Sequence, residues 1–278
     1  MKYVFFGSPE FASIILKRLI DGEYPPVAVV TNPDRPQGRK HVLTPPPAKI
    51  VAEENGIPVL QPAKLSVEAF NSFKDCDFFL VAAYSKIIPA DIINMPRIGT
   101  VGVHPSLLPK FRGASPVQYA ILEGERETGT SLFLIDEKVD HGPVYAQKGR
   151  VSVAGKYFNE LIKELAETSA ELLIEKLPAI ASGGVIPVPQ EEDKATFSKK
   201  IETEDGFVED SDLESAENGR RPDLAGKINN MVHAFNPDPG VYTIRNGRRM
   251  KILESSLGGG ALKIGTIQWE GKKPTQVS

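Results

Sequence analysis

The chain has 278 residues, 41% of them apolar and 25% charged, with a net charge of −3. That composition is globular: no apolar run approaches the roughly 20 residues needed to span a bilayer, and the negative sum excludes a general nucleic-acid-coating protein. One cysteine, Cys76, excludes an intramolecular disulfide and a Cys-based zinc site, and reads as a small buried apolar residue.

A length beyond about 250 residues predicts two domains. The first run, residues 2–6, is β-rich and ends in Gly7-Ser8-Pro9-Glu10 before a signal-peptide core can form, so a first strand and a cytoplasmic location are expected. Ser8 suits a helix cap, Pro9 its first turn and Glu10 the positive end of its dipole. Strand signals return at 27–31, 77–82 and 100–104, separated by helix-compatible segments. Strands alternating with helices, most of them continuous apolar runs, predict an open, doubly wound, mostly parallel α/β sheet. A helix follows Ser115-Pro116, further strands are expected at 130–135 and 144–150, and apolar spacing over 158–177 predicts a long amphipathic helix. Ser182-Gly183-Gly184 and an acidic stretch then break the pattern. Between Glu191 and Glu217 there are eleven acidic residues against three lysines, and from Gly219 to Ser278 ten basic against four acidic. The expected division is residues 1–190 as a main domain, 191–206 as a linker, and 207–278 as a small β-rich basic domain with strands at 241–244, 250–253 and 261–269.

Ligands of open α/β sheets bind beyond the carboxyl ends of the strands, so the loops there are the place to search. The loop from Asn32 to His41 carries Arg35, Arg39 and Lys40, and reads either as a polyanion contact or as a solvated surface loop. His104 ends an apolar strand before Pro105; a group titrating near neutrality there can shuttle a proton or stabilise negative charge, or simply end a strand. The loop Asp136 to Pro143 follows the apolar strand ending at Ile135 and reads either as a plain turn or, since it and the His104 loop both leave strand ends of one expected sheet, as bringing Asp140 within reach of His104. There is no dinucleotide fingerprint or phosphate loop, and the four histidines are not in zinc-ligand spacing, so no metal is expected.

The segments FFGSPEFA, VVTNPDRPQGRK, VAAYSKIIP, HPSLLPKFRGASPVQ, ETGTSLFLIDEKVDHGPV, ATFSKKIETEDG and HAFNPDPGVYT, in this order, resemble the folate-dependent formyltransferases. The resemblance implies transfer of a formyl group from 10-formyltetrahydrofolate to the α-amino group of methionine on initiator tRNA, without a metal, by a monomer. It places the folate beside Ala83, Tyr84, Ile87, Ile88 and Pro89, with Ser106, Leu107, Leu108 and Pro109 as a further wall. His104 is implied to stabilise the oxyanion, Asp140 to sustain the histidine and assist proton removal, and Arg35, Arg39 and Lys40 to reach the tRNA. The chain departs from the family pattern twice. Gly102 stands where the family usually has asparagine, and only 38 residues follow Gly240, so a reduced barrel of the oligonucleotide-binding type is expected at the carboxyl end. An aminosugar nucleotide as acceptor, or a non-catalytic folate- or tRNA-binding relative, are the alternative readings.

Overall fold

The structure, a computed structural model, describes residues 1–38 and 41–277. In chain order its strands are β1 (Tyr3–Gly7), β2 (Ala28–Val30), β3 (Arg35–Gln37), β4 (Val42–Thr44), β5 (Val59–Leu60), β6 (Phe78–Ala82), β7 (Thr100–His104), β8 (Arg112–Gly113), β9 (Glu127–Leu134), β10 (Val144–Ser152), β11 (Phe197–Ser198), β12 (Val241–Arg245), β13 (Arg248–Gly258), β14 (Ala261–Trp269) and β15 (Thr275–Gln276). The α-helices are α1 (Glu10–Asp21), α2 (Pro47–Glu54), α3 (Val67–Phe70), α4 (Ala90–Ile93), α5 (Pro116–Leu122), α6 (Phe158–Ala181), α7 (Asp210–Glu217) and α8 (Pro222–Phe235). Two compact units result, and neither is continuous in sequence. The first comprises residues 1–112, 129–151 and 162–196; the second comprises 113–128, 152–161 and 197–278.

The first unit is built on a sheet of order β10-β9-β7-β6-β1-β2-β5, in which β5, β2, β1, β6 and β7 run parallel. Because β1 lies inside the sheet, both of its faces need cover, and all five residues of YVFFG are buried. α1 buries Phe11, Ile15, Leu16 and Leu19 on one face and leaves Lys17 and Asp21 to pair in solvent. From β1 the chain builds outward to β2 and β5, then returns to place β6 on the other side of β1. The topological switch point therefore lies between β1 and β6, where the loops after them diverge. Ser8 does not cap α1. Pro9 is the N-cap residue, and the Ser8 hydroxyl accepts the Asn32 N–H at 2.9 Å, joining the loops after β1 and β2. Cys76 is buried as expected, and burial pushes its thiol pKa up.

In the second unit, β12 to β15 form an antiparallel sheet in sequential order. The carboxyl end thus carries a small antiparallel sheet domain, as expected, and Phe207 adds an isolated parallel bridge to Tyr242 of β12. α7 and α8 precede this sheet. α8 places Pro222 in its first turn and buries Ala225, Ile228, Val232 and Phe235. Charges that the sequence segregates are joined here: Arg245 reaches Asp210 at 2.6 Å and Glu217 at 3.0 Å. Among the described residues, no helix is long and apolar enough to cross a membrane.

Candidate active site

β7 delivers His104 to its carboxyl end, where the residue is 5% exposed. Its Nε2 lies 2.9 Å from the Phe111 carbonyl oxygen and donates to it. Phe111 is fixed in turn: its backbone sits in the left-handed region at φ 58°, and its N–H donates to Thr196 Oγ1 at 2.9 Å. With Nε2 committed to a backbone carbonyl, the ring presents Nδ1 to the Asp140 carboxylate, 3.6 Å away. That separation exceeds hydrogen-bond length, so the pair is adjacent but not bonded.

Asp140 arrives by a different route from the one its sequence position suggests. β9 is antiparallel to β7, pairing Val101 with Leu134 and His104 with Ser131, so the end of β9 lies at the start of β7. The Ile135 N–H still bonds the Thr100 carbonyl at 2.8 Å. His104 is about 13 Å further along the strand, a span that five extended residues can cover at roughly 3.3 Å each. The loop after β9 therefore runs back along β7 to bring Asp140, at φ 49°, beside the histidine. Gly142 allows the return, because a Cβ there would overlap the Leu134 carbonyl oxygen. Gln190 holds the loop by donating to the carbonyls of Asp140 at 2.9 Å and Gly142 at 2.8 Å. Arg112, only 2% exposed, donates to Gln190 Oε1 at 3.0 Å and to both oxygens of Glu192.

The segment after His104 is fastened by polar groups on β9 and β10. Ser131 Oγ donates to the Ser106 carbonyl at 2.7 Å and accepts the Leu108 N–H at 3.0 Å; Gln147 Nε2 donates to the Leu108 carbonyl at 2.8 Å and to Ser131 Oγ at 2.9 Å. Beside the histidine, Gly102 faces Phe133 across the β7–β9 pair.

Residues 1–177 match the formyl transferase family, and residues 223–258 match the formyl transferase C-terminal domain. A methionyl-tRNA formyltransferase from Halalkalibacterium halodurans is 39% identical over 256 residues, which cover 91% of this chain and 77% of that protein. The chain belongs to the formyl transferase family. Two solved structures share its fold. One is the methionyl-tRNA formyltransferase from Clostridium thermocellum, with a TM-score of 0.62 and 17% identity, covering 97% of this chain and 98% of that one. The other is an N-formyltransferase from Helicobacter canadensis in complex with folinic acid and dTDP-3-aminofucose, with a TM-score of 0.67 and 17% identity, covering 93% and 88%.

In this formyl transferase the segment after β6 divides its residues between core and surface. Tyr84 and Ile88 pack against the apolar cluster of Phe6, Phe70 and Phe79, whereas Ala83, Ile87 and Pro89 are exposed, Ile87 at 95%. Ser106 and Leu108 are buried, and the Ser106 hydroxyl donates to the Lys110 carbonyl at 2.6 Å. Leu107 and Pro109 keep partial exposure.

The basic loop begins as a β3–β4 hairpin in which Arg35 pairs with Thr44 and is exposed. Arg39 and Lys40 lie outside the described residues. The foot of the hairpin is pinned. Lys49 Nζ sits 2.9 Å from Asp34 Oδ2 and 3.0 Å from Gln61 Oε1, and Gln61 Nε2 donates to Asp34 Oδ1 and to the Asn32 carbonyl, both at 2.7 Å. Hydrogen bonds from Gln61 and then Lys49 hold the Asp34 carboxyl below the usual carboxylate range. A depressed folded-state pKa stabilises the fold above the unfolded value, near 4, and the contribution disappears as pH falls through the folded value. Gln61→Leu is accordingly expected to lower the thermal midpoint at neutral pH, and its deficit relative to wild type should shrink on acidification through that range. A deficit independent of pH in thermal-melt titrations would remove Asp34 from the account.

Lys49, Gln61, Arg112, Gln147, Ser131 and Gln190 are supporting residues that sequence reasoning does not single out. The signal open to it was weak: polar residues next to apolar runs, each with an ordinary surface explanation.

Proposed function

We propose that this chain transfers a formyl group from 10-formyltetrahydrofolate to the amino group of methionine carried by initiator tRNA, with His104 and Asp140 as the catalytic pair. The observation that supports it most is the placement of an imidazole and a carboxylate side by side at the strand ends, each on a rigid support. The acceptor is read from the 39% identity to a methionyl-tRNA formyltransferase over most of this chain, and the exposed Arg35 suits a phosphate backbone.

The folate donor, when bound, supplies the electrophilic formyl carbon. The residues after β6 fit it, since the exposed Ile87 and Pro89, in the loop that follows the strand paired with β7, offer apolar surface to a flat ring. The amine nitrogen gains a bond to the formyl carbon as the bond to the donor nitrogen breaks; one proton leaves the first nitrogen and one arrives at the second. Asp140 is the acceptor for the first proton, directly or through water, and His104 Nδ1 lies next to it for the return. A protonated Nδ1 also opposes the negative charge that grows on the formyl oxygen. Asp140 and the Phe111 carbonyl together orient the ring from its two nitrogens.

The test is a single-turnover assay with 10-formyltetrahydrofolate, offering methionyl-tRNA and an aminosugar nucleotide as separate acceptors. Formylated methionyl-tRNA is the expected product, with a rate that falls steeply as salt is raised. Formylation of the sugar alone would replace the acceptor, and tRNA binding without any formyl product would replace the enzyme by a binding protein.

A further inference from the structure

Gly102 is the only residue without a side chain in the strand that carries His104, and its backbone does not require glycine: φ is not positive there, and the residue pairs regularly with Ala82's neighbour Val81 on one side and with Phe133 on the other. The requirement is spatial. A Cβ at 102 would stand 2.6 Å from Phe133 Cζ and 3.0 Å from Ile135 Cγ1, closer than side chains approach each other, so the aromatic ring occupies the volume that a side chain at 102 would enter. The same ring meets His104 edge-on, with centroids 6.4 Å apart and planes at 88°, and Phe133 is only 4% exposed. Around the imidazole, then, Phe111 fixes Nε2, Asp140 faces Nδ1, and Phe133 stands edge-on to the ring.

We propose that Phe133 is a positioning residue for His104, and that Gly102 exists in this chain to admit it. A polar donor at position 102 is thereby exchanged for an apolar wall, and the two are coupled: a side chain at 102 needs the ring of Phe133 removed. Its catalytic consequence rests on the function proposed above, whereas its structural core does not. A ring that meets the imidazole edge-on adds a directional contact beyond area burial, so removing it frees motion about the Cβ–Cγ bond of His104.

Four proteins test this: Phe133→Leu, Phe133→Tyr, Gly102→Asn, and Gly102→Asn combined with Phe133→Ala. Phe133→Leu is expected to lower kcat about tenfold and to shift the pH profile of kcat, with KM for both substrates nearly unchanged, as expected when only transition-state positioning is lost. Phe133→Tyr keeps the ring and should retain most of kcat. Gly102→Asn should lower both the thermal midpoint and kcat, and the double variant should regain thermal midpoint relative to Gly102→Asn, a non-additive result. In the free protein, the ¹³C-resolved ring signals of His104 should move in Phe133→Leu and not in an exposed control such as Lys17→Ala. An unchanged kcat, pH profile and His104 signal in Phe133→Leu would overturn the proposal, as would full activity and stability in Gly102→Asn. If wild type forms no formyl product, the transfer reading fails, while the His104 signal and the stability coupling still decide whether Phe133 holds the ring.

Discussion

His104→Ala is expected to lower kcat by about 10²–10⁴-fold while leaving tRNA and folate affinity within about twofold. Asp140→Asn should fall in the same range, because the amide keeps the shape of the side chain and removes both its charge and its proton acceptor. The two losses should not add. Nδ1 of His104 and the carboxylate of Asp140 are 3.6 Å apart and, in the function proposed above, serve one proton path, so the double variant should be little worse than the poorer single one. Single-turnover rates at saturating substrate, with affinities from equilibrium titration, separate chemistry from binding. Equal losses in rate and affinity would place the pair in substrate recognition instead. Fully additive losses would mean that the two residues act on different steps, and the 3.6 Å approach would then be incidental.

Why this pair is half-visible in sequence follows from topology. β7 is legible at residues 100–104 because an apolar run with both faces covered ends at a proline, and the strand in the structure has those bounds. Asp140 is harder. Its loop looks like a neighbour of the His104 loop only if β9 is parallel to β7, and no local pattern reports strand direction. The antiparallel register puts the origin of the loop at the far end of β7, and Gly142, Gln190 and Arg112 bring it back. Those contacts join residues 48 to 78 positions apart, beyond the reach of any periodicity argument. Phe111 is similar: its left-handed backbone aims a carbonyl at His104, and nothing in KFRG announces that a phenylalanine will adopt it. Three of the seven left-handed non-glycine residues among those described, Ala83, Phe111 and Asp140, lie in the loops after β6, β7 and β9. In the second unit α7 goes unread for another reason. Its acidic stretch contains few apolar residues, so no apolar period marks a helix, yet α7 is held there by burial of Leu213 and Ala216 and by pairing with Arg245. Long-range charge pairing of this kind is invisible to a window of sequence.

Gln190→Leu should be the most damaging substitution outside the pair itself. Its amide donates to two carbonyls of the Asp140 loop while its oxygen accepts from the buried Arg112, so the change removes both anchors and strands an arginine donor at once. Carbonyls left without partners cost about 1–3 kcal/mol each when water cannot replace the bond, and the loop lowers this cost by moving. Movement is what catalysis cannot absorb: displacement of a reacting group by about 1 Å is enough for a loss of about 10²-fold in rate. The expectation is therefore a fall in kcat of about 10²-fold with only a modest change in the thermal midpoint, a split that distinguishes loop placement from general unfolding. Arg112→Lys provides the graded comparison. Lysine keeps the positive charge but cannot present the planar fork that engages Gln190 and both oxygens of Glu192 together, so an intermediate loss is expected. Glu192, whose carboxyl is held below the usual range chiefly by hydrogen bonding to Arg112, is well exposed and can take up water, which leaves Gln190 as the link that matters for Asp140. If Gln190→Leu retains wild-type kcat, Asp140 needs no clamp, and the loop must be held through Gly142 and its own backbone.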